Sequence, residues 1–105
     1  MGYRISDGVR DKLLRDHQVL VKEVFECFNN CEGIFFEDTR EANRTDPPTW
    51  WFMAPTNVGR LLKVCFIRKD GDIEIKTAYE PDDDRPLKLY IQLADLTESW
   101  PNEEW

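Results

Sequence analysis

His17 is the only histidine of the chain, so any imidazole acid–base step near neutral pH must use it. It stands where a helical pattern ends, a place where the helix dipole favours an imidazolium. The plainer alternative is a helix-terminal residue that satisfies a carbonyl. Cys27, Cys31 and Cys65 complete with His17 a countable set of four zinc ligands. Nothing in their spacing brings the four together, and buried cysteines usually behave as small hydrophobes. No metal and no cofactor is therefore expected. Walker-type and dinucleotide glycine patterns, G-x-S-x-G and paired C-x-x-C are all absent. The run Glu37-Asp38-Thr39-Arg40-Glu41, with Arg44 and Asp46 beyond it, concentrates charge between two apolar stretches. Such a loop can carry function, or its charges can simply pair with one another for ~0–1 kcal/mol each.

The more informative group is Lys63 and Lys76 with Trp51 and Met53, and with Arg60 and Arg44 within reach of the rim. Two ammonium groups beside an aromatic plane suit phosphate contact plus base stacking, worth ~1–3 kcal/mol per stacked base. The plainer reading makes Trp51 part of a second small apolar layer, packed against Trp100 of the C-terminal tail. Which reading applies depends on the elements that hold these residues.

Ser6 or Asp7 can cap a first helix with Val9, Leu13 and Leu14 as its apolar positions, ending near His17. Val21, Val24, Phe25 and Phe28 recur at helical spacing in a second, stopped by Asn29-Asn30 and Gly33. From Ile34 the period changes. Ile34-Phe35-Phe36 begins a short strand, and a polar loop from Arg40 closes at Pro47-Pro48. Thr49–Thr56, Arg60–Lys69 and Asp72–Tyr79 read as strands, the last two joined by Asp70-Gly71, a strong type I′ hairpin signal. A two-residue turn sets Lys69 opposite Asp72, Phe66 opposite Ile75, Val64 opposite Thr77 and Leu62 opposite Tyr79. Leu62, Val64, Phe66, Ile73 and Ile75 then form a buried face against Val24, Phe25 and Phe28. Lys63, Cys65, Ile67, Glu74, Lys76 and Ala78 form an exposed, mixed face, with Trp51 and Met53 beside them. The expected fold is α+β: two N-terminal helices packed on one side of a three- to four-stranded antiparallel sheet. A short C-terminal helix from about Pro86 to Leu96, carrying Leu87, Tyr90, Leu93 and Ala94, closes one edge. Residues 1–96 make the single domain and 97–105 an irregular acidic tail bearing Trp100 and Trp105.

With 105 residues there is room for one core. The net charge of −7 rules out an overall basic nucleic-acid binder but leaves a local basic site open. Acidity is concentrated at the end: residues 80–105 carry a balance of −6, residues 1–79 one of −1. Such a tail repels phosphate within a Debye length of ~8 Å, or merely confers solubility. No apolar run approaches the ~20 residues of a membrane span, and the N-terminus reads as lacking a secretion signal. With an odd number of scattered cysteines, a cytoplasmic protein with no membrane partner is expected.

The order of these elements, with Arg15-Asp16-His17, Val21-Lys22-Glu23-Val24, the strand G-R-L-L-K-V-C-F-I, the hairpin to I-E-I-K-T-A-Y-E-P and Tyr90 on the closing helix, resembles the BrnT-like branch of the RelE/ParE toxin superfamily. The resemblance spans roughly residues 3–92. The runs E-D-T-R-E, T-D-P-P-T, W-F, G-R-L-L-K-V and T-A-Y-E-P look closer still to small bacterial and phage proteins labelled ADP-ribosyl-(dinitrogen reductase) hydrolase. A dinuclear-metal hydrolase of that name needs clustered metal-binding carboxylates that this short chain does not show. The toxin resemblance implies a metal-independent endoribonuclease of a type II toxin–antitoxin system, active or degenerate, with RNA as target and an antitoxin or other protein as partner. It implies His17, Arg60, Lys63, Lys76 and Tyr90 as catalytic groups, cations stabilising the phosphorane and one group deprotonating the ribose 2′-OH. The acidity points to a second class: a non-enzymatic acidic binding protein on the same fold, such as a phage-encoded inhibitor of a CRISPR-type nucleic-acid-binding defence complex.

Overall fold

The computed structural model of the protein describes residues 2–40, 45–96 and 100. The chain runs β1 (Tyr3–Arg4), α1 (Asp7–His17), α2 (Val21–Asn30), β2 (Phe36–Glu37), β3 (Thr49–Pro55), β4 (Leu61–Lys69), β5 (Asp72–Tyr79) and α3 (Arg85–Ala94). Its sheet has the order β1-β5-β4-β3-β2, with β1 parallel to β5 and every other pair antiparallel. The α+β expectation holds; the short strand expected from Ile34 is present as β2, and the unexpected β1, pairing in parallel, turns the expected antiparallel sheet into a mixed one of five strands. Among the described residues no helix is long and apolar enough to cross a membrane.

The Ser6 side chain accepts the Val9 N–H at 3.1 Å and so caps α1. Gln18, at φ 55°, ends the helix in the left-handed region. Leu20 donates its N–H to the Glu23 carboxylate at 3.0 Å, which fixes the start of α2 only three residues later. Asp70 and Gly71, at φ 54° and 83°, form the expected I′ turn. Register follows it as far as Phe66 opposite Ile75.

There the ladder shifts. Cys65 pairs with Thr77, Val64 with Ala78 and Lys63 with Tyr79, which leaves Lys76 as the extra, bulged residue. The expected pairs Val64–Thr77 and Leu62–Tyr79 are thereby corrected by one residue. Ala78 joins the buried face, and Tyr79 moves to the face of Lys63.

Leu62, Val64, Phe66, Ile73 and Ile75 are buried as expected, under α1 and α2. Phe28 meets Phe52 and Phe66 with ring centroids 4.7 and 5.6 Å apart, and Phe35 closes the cluster. Phe25 is the exception among the expected core residues. It is exposed and lies edge-on to Tyr3, because α2 turns only Val24, Cys27 and Phe28 towards the sheet.

The second face is not the open surface its mixed composition suggests. Helix α3 lies across it, and Tyr90 packs on Trp51 and Phe36 at 5.5 and 5.6 Å. Trp100 also packs on Tyr90, at 5.6 Å, and donates its indole N–H to Glu32 at 3.0 Å. The plainer reading of Trp51 and Trp100 as a second apolar layer is what the structure has, with Tyr90 interposed. Gly33 makes this layer possible: a Cβ there would stand 2.9 Å from Tyr90 Cζ, so only glycine admits the ring.

Candidate functional site

Where α3 leaves the sheet uncovered, a cleft of about 830 Å³ opens over β3, β4 and the end of β5. Trp51, Lys63 and Tyr79 line it from the sheet, and Asp38 and Arg40 from the segment after β2. Arg85, Leu89 and Leu93 of α3 line the opposite wall. The bulge at Lys76 is what places Tyr79 opposite Lys63 in this group.

Lys63 is buried to 8% exposure, with its ammonium 4.9 Å from the centre of the Trp51 ring. Among the described residues no carboxylate lies within ion-pair distance of it, whereas both arginines of the cleft are paired. Among the described residues no fully buried side-chain nitrogen lacks a hydrogen-bond partner, so this ammonium, with no hydrogen bond there, keeps its contact with the cleft. A cation on an indole face is attracted by the ring quadrupole, and Asp38 acts on it only from beyond ion-pair distance, so its desolvation is not offset by a direct partner. The arrangement is suited to an anion arriving from outside.

Asp38, 9% exposed, accepts from the Arg40 backbone N–H and Nε at 3.1 Å and from Nη2 at 2.8 Å. The Arg40 guanidinium, with Lys63 as a lesser influence, holds its carboxyl below the ordinary 3.8. The folded value lies under the unfolded one, so this pair stabilises fully above about pH 4 and loses its contribution as pH falls through the depressed value. Because Arg40 is largely exposed, Asp38→Asn should cost about 1 kcal/mol at pH 7. Urea titrations between pH 7 and pH 2.5 should show that difference shrinking with acid; a pH-independent difference would contradict the pairing.

The other expected site residues are dispersed. Arg60 donates to the carbonyls of His17 at 3.0 Å and Gln18 at 2.8 Å, to Glu23 at 3.2 Å and to Glu80. It clasps the end of α1, the start of α2 and the chain after β5, and does not line the cleft. His17 rests against the Tyr79 ring at 5.6 Å, off the cleft. Tyr90 is fully buried, its hydroxyl donating to the Ile34 carbonyl at 3.0 Å. Lys76 is exposed at the bulge, so the expected pair of ammonium groups on one open face is not formed. Arg44 lies outside the described residues. Trp51 is 7% exposed beneath Lys63 and against Phe36 and Tyr90, too buried to offer an open ring face to a base.

Thiol chemistry is disfavoured as well. Burial pushes the Cys27 thiol up to about 12 and raises those of Cys31 and Cys65, and the nucleophile of cysteine chemistry is the thiolate. Cys27 instead donates to the Ala54 carbonyl at 3.4 Å. Among the described residues no group of three or more His, Cys, Asp or Glu is placed to hold a metal ion.

Tyr79, Asp82, Arg85, Leu89 and Leu93 are among the cleft residues that sequence reasoning did not assign to a site. Tyr79 depends on a bulge with no glycine to mark it, and the α3 residues depend on which face the last helix covers. Compared with known proteins, the chain matches no family model and no curated sequence.

Proposed function

We propose that this is a toxin-like, RNA-directed protein of the cytoplasm, resembling the BrnT-like kind and working with an antitoxin-type partner, and that its contact with RNA is made in the Lys63 cleft. The observation that carries the reading is Lys63, a residue more than nine-tenths buried whose ammonium makes no ion pair among the described residues and opens to the cleft. A fixed cation in a partly dry site both binds a phosphate and stabilises charge developing on it. The imidazole of His17 lies off the cleft, so the cleft supports RNA binding more directly than it supports acid–base cleavage.

Lys63→Met tests this with little risk to the fold, because it removes an unpaired buried charge and keeps the apolar stem. Fluorescence anisotropy of a labelled single-stranded RNA at low salt should show binding by the wild type, weakening as salt rises. The variant should bind at least tenfold more weakly and be no less stable to urea. Equal binding by the two proteins would remove the cleft from the account.

A second reading, the acidic binding protein, is favoured by a different observation. Glu37 and Asp82 line the cleft without an ion pair among the described residues, in a chain of net charge −7. It expects a basic protein partner whose binding is weakened by Glu37→Gln with Asp82→Asn and untouched by Lys63→Met. Removing residues 97–105 is the poorer test, since Trp100 is buried against Tyr90 and its loss would disturb the fold.

A further inference from the structure

Resting on the RNA-directed reading, we infer that the cleft takes a nucleoside phosphomonoester, the phosphorylated end of an RNA or a free nucleotide, rather than a phosphodiester inside a strand. The floor and the rim of the cleft carry opposite demands. At the floor stands Lys63, a three-donor cation in no direct ion pair among the described residues, with Asp38 nearby already committed to Arg40. At the rim stand Glu37 and Asp82, carboxylates without a cation partner among the described residues.

An internal phosphate that reaches the floor brings its two neighbours to the mouth. There they meet the rim carboxylates well within a Debye length of ~8 Å. A terminal phosphate has at most one neighbour, and a mononucleotide has none. The terminal group also matches the floor better. It carries about −1.5 to −2 charge at pH 7 and three acceptor oxygens, where a diester carries a single charge.

The remaining wall accounts for the nucleoside. Leu89 and Leu93 stand one helical turn apart on α3, each about half exposed, and Pro81 and Pro86 continue the apolar surface. Tyr79 lies across from them on the sheet. A base or ribose laid against this wall covers apolar surface while its phosphate reaches Lys63. The volume of about 830 Å³ lies within the ~300–1,000 Å³ of small-molecule sites and is too small for a folded polyanion.

The test compares one tetranucleotide RNA in three forms, 5′-phosphorylated, 3′-phosphorylated and hydroxyl-ended, with uridine and adenosine monophosphates as competitors. At least one phosphorylated form should bind tenfold or more tightly than the hydroxyl-ended one. Lys63→Met should erase that preference, and Leu89→Asp, an exposed change compatible with folding, should weaken binding. Displacement by a mononucleotide identifies the free nucleotide as a sufficient ligand; failure to displace assigns the site to RNA ends. Equal, Lys63-dependent binding of all three RNAs overturns this inference while leaving the RNA-directed reading intact. No binding of any form overturns both.

Discussion

Phe66→Ala should lower the free energy of unfolding by about 4 kcal/mol, the scale of a large aromatic truncation in a packed core. Phe66 is fully buried on β4, with the rings of Phe35, Phe28 and Phe52 at 5.0, 5.6 and 6.1 Å. These rings come from α2, the segment before β2, and β3, so no single element can move to refill the space. The Asp70-Gly71 turn places Phe66 opposite Ile75 before the bulge intervenes, which makes it the point where sequence-derived register and observed register still agree. A urea titration giving a loss under about 1 kcal/mol, the size of a surface change, would mean that this face is not the core.

Arg60→Ala should cost about 3 kcal/mol, although the resemblance offers Arg60 as a catalytic cation. Its guanidinium is only 23% exposed and is committed to the carbonyls ending α1, to Glu23 on α2 and to Glu80. Removing it leaves the largely buried Glu23 without its partner and the negative end of α1 uncompensated. Arg60→Lys should recover only part of the loss, since one ammonium cannot span three directions. Thermal melts of both variants check this. A loss below about 1 kcal/mol for Arg60→Ala would reduce the clasp to a surface ion pair.

Arg60 and Lys63 show what a sequence can and cannot say about a site. Both are cations at or next to β4, and the sequence alone does not say which of them faces a ligand. The difference is made by their neighbours. Arg60 meets two helix-end carbonyls and two carboxylates, while Lys63 meets an indole and an opening.

The helices and the hairpin were legible because local chemistry specifies them: the Ser6 cap, the 3.6-residue period of α2 and the positive φ at Asp70 and Gly71. The shift at Lys76 was not legible, since any residue can occupy a bulge and no glycine marks this one. That single residue moved Tyr79 to the face of Lys63 and separated Lys76 from the site. The strand Tyr3–Arg4 was also hidden, because two residues pairing with β5 carry no period to read. The side on which α3 packs follows from Tyr90 fitting against Gly33, a contact between residues far apart in sequence.

The proposed role of Lys63 lies in binding and not in stability. Its own methylene signals report this most directly, because the Trp51 ring beneath the ammonium shifts them away from those of the other five lysines. In a spectrum of lysine-labelled protein, titration with 5′- or 3′-phosphorylated single-stranded RNA should move the Lys63 resonance to saturation and leave that of exposed Lys76 nearly fixed. A Lys63 signal unmoved at RNA concentrations that shift other lysines would contradict the account.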